Sequence, residues 1–191
     1  TAALAARQDP SEVQNRTATL LLSKPVSRAQ FVLGKYFGSL AAAAAAFTVF
    51  YVLFLAALLW KAGAIDWAVA AQAYYLFVLN LVLFTAMVSA LSYFLSVGAN
   101  VTLSLTVYFM ISMFGAGLHE TAEGFLTPMR VVCETVYFTF PHFEFFDLRQ
   151  RLIHGWEGVG APTLGILTVY ALCYSAFFLV VAYAMFRRRP L

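Results

Sequence analysis

The feature that most constrains the fold is a long stretch, residues 67–118, without a single charged side chain. Each charge at the centre of a bilayer costs roughly 2.5–3.5 kcal/mol, so uncharged stretches of this kind are typical of membrane spans. A helix needs about 20 residues to cross the hydrocarbon core, and the stretch is long enough for two crossings. The chain is 62% hydrophobic and 11% charged, whereas soluble domains carry about 25% charged residues. We therefore predict an all-α, polytopic membrane helical bundle.

Four membrane spans are expected from the distribution of charge. They are placed at residues 40–60, 69–96, 100–118 and 163–186. The break between the second and third spans is placed at Gly98-Ala99-Asn100, because turn-forming residues cluster there within the uncharged stretch. A short polar turn separates the first two spans, and Trp60 and Trp67 flank it as interfacial anchors.

Residues 119–160 differ in character, because acidic residues appear there among aromatic ones. Pro128 and Pro141 divide this part, and the piece between them is about 12 residues, roughly 18 Å as a helix, which is too short to cross. We predict a re-entrant or surface-lying helical hairpin that folds against the bundle. Asp147 and Arg151 are expected to pair at i,i+4 spacing.

The N-terminal segment, residues 1–38, is expected to stay outside the membrane, and residues 39–191 form the transmembrane domain. Ser11 and Gln14 make a capping-box pattern, which predicts a short helix that ends before Pro25. A second helix is expected to start near Arg28 and to run into the first span.

The basic residues are distributed unequally between the two sides of the predicted bundle. Eight of the 12 Lys and Arg residues lie in the N-terminal segment and the C-terminal tail, with only two acidic residues beside them. By the positive-inside rule both ends are cytoplasmic, and the hairpin at residues 119–160 faces outward.

The most strongly polar side chains within the spans are the amides of Gln72 and Asn80. Such groups are either functional or serve to hold helices together. The spans contain no charge, which argues against a proton- or sodium-coupled carrier.

The histidines, His119, His142 and His154, all fall in the outward segment near carboxylates. No pair has the spacing of metal ligands, so we expect interfacial histidines with no metal site and no cofactor. Glu144 and Asp147 are three residues apart and could be a carboxylate pair for acid–base work, although pairing with Arg151 is the simpler interpretation.

Residues 11–38 read SEVQNRTATLLLSKPVSRAQFVLGKYFG. This pattern resembles the coupling region of permeases from type-2 ATP-binding-cassette (ABC) exporters: an acidic residue, an R-T or G-T pair, L-L-S, a basic residue, P-[VI]-S-R, and G-K with a further glycine. The residues that carry the resemblance and are candidates for coupling to an ATPase are Glu12, Arg16, Thr17, Leu21, Pro25, Arg28, Gly34 and Lys35. Residues 141–149 resemble, less closely, the outward loop of the same family.

The resemblance implies a transport subunit that is driven by a separate ABC ATPase in the inner membrane. The chain contains no G-x-x-x-x-G-K-[ST] loop of its own. Permeases of this type have six spans and work as pairs of identical or related copies among membrane lipids, so two spans are expected before residue 1. A nucleic-acid partner is not expected.

Two alternatives remain open at this point. The chain could be a membrane-anchoring structural subunit of a larger complex, in which the cytoplasmic helices are only a docking surface. It could also be a polytopic lipid-modifying enzyme with its active site in the outward hairpin. The motif concerns coupling and does not indicate the cargo.

Overall fold

The computed structural model describes residues 28–122 and 141–188, and within these ranges every regular element is helical. The elements are α1 (Arg28–Ala62), α2 (Trp67–Leu91), α3 (Val97–Ala122), a 3₁₀ helix (Phe143–Phe146), α4 (Arg149–His154) and α5 (Ala161–Arg188). The expectation of an all-α polytopic membrane protein is confirmed. The predicted helix before Pro25 and the part of the hairpin between residues 123 and 140 lie outside the described residues.

Three of the described helices are long and apolar enough to cross a membrane: Ala29–Lys61, Trp67–Leu91 and Ala161–Arg187. The fourth expected span corresponds to α3, whose apolar part is Val97–Ser112. The first of these helices, α1, has 35 residues, about 52 Å at 1.5 Å per residue, and exceeds the ~30 Å of hydrocarbon. Part of α1 therefore projects beyond the hydrocarbon. This allows the charge of Lys35, near the start of α1, to stay outside the hydrocarbon core.

The central element of the bundle is α2. Residues of this helix are buried on all sides between residues 79 and 90, which is typical of a helix at the core of a membrane bundle. Its closest neighbour is α5, and α1 packs along it as well. Two hydroxyl groups join α1 to the first half of α2: Thr48 bonds Tyr74 across 2.9 Å, and the Tyr51 hydroxyl donates to the Ala70 carbonyl across 2.7 Å.

The turn between α2 and α3 lies at residues 92–96, so the expected break at Gly98-Ala99-Asn100 was wrong. Asn100 is fully buried in the first turn of α3. Its Nδ2 donates to the Val88 carbonyl across 3.1 Å, and its Oδ1 accepts from the Ser104 hydroxyl across 3.0 Å. Asn100 therefore does not form the turn between the two helices. Its side-chain amide instead joins the start of α3 to the end of α2.

The opposite end of α2 is fixed by two polar contacts. Asp66 caps the helix, with Oδ1 accepting from the Ala68 and Val69 amides across 2.8 and 3.3 Å. Gln72 Oε1 accepts from the Val159 amide across 2.9 Å, which holds the segment before α5 against α2. Gln72 therefore holds elements together, one of the two roles predicted for an amide within a span.

The expected pair of Asp147 with Arg151 was also wrong. Asp147 instead pairs with Arg149, and Arg151 Nη1 donates to the Glu157 carbonyl across 2.9 Å. The 3₁₀ helix ends at Phe146 and α4 begins at Arg149, so no continuous helix brings residues four apart onto one face.

We predict that Asn100→Leu lowers the thermal unfolding temperature of the purified protein in detergent by several degrees. The change removes two buried hydrogen bonds, each contributing about 1 kcal/mol. Thr102→Val is the matched control on the same helix, because the exposed Thr102 hydroxyl bonds only the Gly98 carbonyl one turn earlier. Equal unfolding temperatures for both variants would contradict the structural role of Asn100.

Candidate functional site

The candidate coupling residues fall into two groups. Those outside the described residues are Glu12, Arg16, Thr17, Leu21 and Pro25. Arg28 begins α1, although its side chain is not among those described, and Gly34 and Lys35 lie on the next turns of that helix. The described start of α1 is therefore the part of the predicted coupling region whose surroundings are defined.

The start of α1 is attached to the end of α5. The Phe31 ring stacks on Phe186 with a centroid separation of 5.4 Å and an interplanar angle of 18°. Lys35 Nζ lies 4.4 Å from the centroid of the same Phe31 ring, a cation–π contact. Gly34 is exposed, and a Cβ built there would meet nothing within 4 Å.

A small apolar cluster extends this contact to the end of α2, and we call it the coupling-end cluster. It consists of Val32, Ala90, Tyr93, Ala182 and Phe186, with Phe31, Phe178 and Met185 packed around it. The cluster joins the start of α1 with the ends of α2 and α5. The Tyr36 hydroxyl adds a hydrogen bond to the Val82 carbonyl across 3.1 Å.

Sequence reasoning missed this cluster. It identified Gly34 and Lys35 from the motif, but the residues that join the helices are the aromatic side chains Phe31, Tyr93 and Phe186. A signal was present in the sequence, because each of these rings lies close to a predicted helix end. Only the three-dimensional arrangement brings the first and last helices together.

An ion pair joins Asp147, which follows the 3₁₀ helix, to Arg149 at the start of α4. Nε and Nη2 of Arg149 donate to both carboxylate oxygens of Asp147, with distances of 2.6–3.0 Å. Burial by itself would raise the pKa of the Asp147 carboxyl, but the hydrogen bonds and charge of Arg149 outweigh burial and lower that pKa. The pair is therefore fully ionised at neutral pH.

Within the described part of the chain, no group of three or more His, Cys, Asp or Glu could hold a metal ion. His142 is buried and its backbone amide donates to the Tyr170 hydroxyl across 2.9 Å. Burial lowers the pKa of the His142 imidazole. The His154 ring stacks on Trp156 instead, and the side chain of His119 is not among those described.

A cleft lies between α1 and α3, with α2 as its floor, and we call it the outer cleft. Its wall residues recur at helical spacing on each of the three helices: Ala42, Ala43, Ala46 and Phe47 on α1; Phe77, Asn80, Leu81 and Phe84 on α2; Leu105, Tyr108, Phe109 and Ser112 on α3. The cleft comprises cavities of about 310 and 470 Å³ that share Phe77, Asn80, Tyr108 and Phe109 as lining residues. The larger cavity ends at the ion pair of Asp147 and Arg149.

Aromatic rings build the walls of the outer cleft. Phe77 stacks on Phe47 with a centroid separation of 4.1 Å and an interplanar angle of 6°. On the other side, Tyr108 packs edge-to-face on Phe84 at 5.2 Å and lies 5.2 Å from Phe143. The rings fix the walls while leaving the space between α1 and α3 unfilled.

The family sequence model described as ABC-2 family transporter protein matches residues 10–191. The chain is a member of the ABC-2 transporter family. No curated protein matches the sequence significantly. The resemblance noted from residues 11–38 is therefore confirmed by a match that covers nearly the whole chain.

Membership of the ABC-2 family defines the general role of the chain. It is an integral membrane protein and a permease subunit of an ABC transporter, and the family implies partnership with an ATPase subunit. Permeases of this family are transport components and are typically not catalytic themselves. The coupling-end cluster and the outer cleft are thus features of a transport subunit.

We predict that Phe186→Ala in this ABC-2 permease lowers its thermal unfolding temperature by several degrees. The Phe186 side chain is 2% exposed and contacts Phe31 and Tyr93, so truncation leaves a cavity between three helix ends. Phe177→Ala is the matched control on α5, because Phe177 is 62% exposed. An equal loss of stability in both variants, measured by thermal unfolding in detergent, would show that the cluster has no special role.

Proposed function

We propose that this permease is one half of an ATP-driven exporter that works by alternating access. The supporting observation is that α1 is one continuous helix from Arg28 to Ala62 whose start is packed against the ends of α2 and α5. A displacement applied just before Arg28 therefore reaches helices that cross the membrane.

The ATPase would act on the cytoplasmic segment that precedes α1. In this proposal the short helix of residues 11–22 docks on the ATPase through Glu12, Arg16, Thr17 and Leu21. Pro25 forms the elbow, and Arg28, Gly34 and Lys35 form the first part of α1. A second permease copy or a related permease completes the pathway in the inner membrane, with both ends of this chain in the cytoplasm and lipid around the bundle.

Three helices are expected to move as one block. The coupling-end cluster joins α1, α2 and α5 at one end, and the hydrogen bonds of Thr48 and Tyr51 join α1 to α2 at the other. In contrast, α3 is joined to α2 by Asn100 near the turn at residues 92–96 and is separated from α1 by the outer cleft. A tilt of the block about this turn would change the width of the outer cleft.

We predict that the double variant Glu12→Ala/Arg16→Ala inserts normally but no longer transmits ATP binding to the membrane domain. The readout is the distance between spin labels on cysteines that replace Phe50 of α1 and Phe109 of α3, which are 71% and 57% exposed. In the complex with its ATPase, ATP should shift this distance by several ångströms, and the double variant should abolish the shift.

The control for this experiment is Lys61→Ala, which removes a charge at the opposite end of α1 and should leave the ATP-dependent shift intact. A shift that survives in the double variant would contradict the assigned coupling residues. A distance that does not respond to ATP in the otherwise unaltered permease would contradict alternating access and favour a structural, anchoring subunit.

The proposed orientation gives a separate prediction. In a background with Cys133→Ser and Cys173→Ser, a membrane-impermeant maleimide should label Lys61→Cys in intact cells. The same reagent should label Lys24→Cys only after the membrane is permeabilised, because the positive-inside rule predicts that residue 24 lies in the cytoplasm. The reverse labelling pattern would invert the proposed topology.

A further inference from the structure

The 3₁₀ helix packs far from either end of α2. The ring centroid of Phe143 lies 6.0 Å from that of Phe84 and 5.2 Å from that of Tyr108. Phe84 is about 25 Å along the axis of α2 from Trp67, at 1.5 Å per residue. Since a 3₁₀ helix rises about 2.0 Å per residue, the chain advances at most about 8 Å between Phe143 and Asp147. Asp147 is therefore well removed from the level at which α2 begins.

The ion pair of Asp147 and Arg149 lies level with the middle of α2. Both side chains line the larger cavity of the outer cleft together with Phe77 and Asn80, which lie on either side of the midpoint of this helix. The side chain of Arg149 is 70% exposed and that of Asp147 is 35% exposed. Because α2 is long and apolar enough to cross a membrane, the pair is exposed at the depth of the hydrocarbon core.

Hydrocarbon is a poor surrounding for this exposed pair. A charge at the centre of a bilayer costs roughly 2.5–3.5 kcal/mol, and charged residues at membrane depth almost always face the interior of a bundle or a water-filled cavity. The cavity that the pair lines has a volume of about 470 Å³, which leaves room for at least about ten waters at ~30 Å³ each. Its other polar lining residues are Asn80, Ser112 and Glu144. The space and its polar groups suit water better than an acyl chain.

We propose that the larger cavity of the outer cleft is a water-filled vestibule and that Asp147 and Arg149 carry their charges into it near the middle of the membrane. Water solvates the parts of both side chains that the ion pair leaves exposed. The vestibule itself requires neither nucleotide nor a movement of the ATPase. As part of a transport pathway it rests on the proposed exporter role, and the cargo would then carry a hydrophilic group that passes the ion pair.

The test measures the access of water to a cysteine in the vestibule. It uses the permease in complex with its ATPase in nanodiscs, where both membrane faces meet the reagent, in the background with Cys133→Ser and Cys173→Ser. Ser112→Cys changes one atom on the α3 wall of the cavity. We expect it to react with methanethiosulfonates that carry either a trimethylammonium or a sulfonate group.

Leu172→Cys is the matched control for depth. Leu172 is 54% exposed on α5 and lies one turn beyond Thr168, whose hydroxyl bonds Tyr75 of α2. It is therefore level with the middle of α2 but is not among the residues that line the cleft. This cysteine should react about 100-fold more slowly than Ser112→Cys, because the reactive thiolate does not form in hydrocarbon.

A second measurement connects the vestibule with the ion pair. Arg149→Gln leaves the charge of Asp147 unpaired, so the ratio of the cationic to the anionic reaction rate at Ser112→Cys should rise severalfold. Asp147→Asn should lower this ratio, and the double variant should restore it. Arg151→Gln is the matched control, because Arg151 lies on the same short helix but lines a different cavity, and it should leave the ratio unchanged.

Several results would overturn the vestibule. Equal reaction rates at Ser112→Cys and Leu172→Cys would refute it, as would a rate ratio that neither Arg149→Gln nor Asp147→Asn alters. Loss of assembly in both single variants, with assembly kept in the double variant, would show that the pair is dry, because removing one partner of a dry pair leaves an uncompensated charge. A rate at Ser112→Cys that does not respond to ATP would keep the vestibule and contradict the exporter proposal, so the two can fail separately.

Discussion

The lack of water inside the bilayer is the constraint on which this structure depends, because each polar group on the central helix must find its partner within the protein. On α2 the partners determine where the neighbouring elements lie. Asp66 caps its N-terminal end, Gln72 accepts a hydrogen bond from the segment before α5, and the Val88 carbonyl accepts one from Asn100 at the start of α3. Among the described residues of α2, the buried hydroxyls of Thr85 and Ser89 are exceptions, because they make no hydrogen bond.

The two ends of α1 have different roles because they meet different surroundings. Its start lies in the coupling-end cluster, where apolar and aromatic contacts resist separation of α1 from α2 and α5. Farther along, α1 is joined to α2 by hydroxyl groups and stacked rings, but its side toward α3 is unfilled. Under the proposed function, a helix held in this way would transmit displacement along its length while its side toward α3 stays unfilled.

The sequence predicted the helical class, the continuous helix from Arg28 and the permease family, because these depend on local charge, hydropathy and a contiguous motif. It placed the turn between α2 and α3 wrongly because glycine and asparagine have two physical uses. The same residues that favour turns also allow close helix packing and buried hydrogen bonds, and at Asn100 the second use prevails.

The pairing of Asp147 failed for a related reason, because i,i+4 spacing has meaning only within one continuous helix and the chain changes helix between Phe146 and Arg149. The coupling-end cluster and the outer cleft could not be predicted at all. They depend on which faces of distant helices meet, and periodicity assigns residues to a face without saying which helix that face contacts. Gln72 and Asn80 are equivalent in sequence terms, and only the structure shows that Gln72 bonds the Val159 amide whereas Asn80 lines the outer cleft.

Packing between α2 and α5 limits where motion can occur. Thr85 and Ser89 on α2 and Ser175 on α5 have buried hydroxyls that make no hydrogen bond among the described residues, so their small size matters more than their polarity. Small side chains let helices approach closely, and this pair is the most extensive contact in the described bundle. Rearranging it would separate many atoms at once, whereas α3 meets α1 across open space. Conformational change driven through α1 should therefore leave the α2–α5 pair intact and alter the position of α3, which places the moving boundary at the outer cleft.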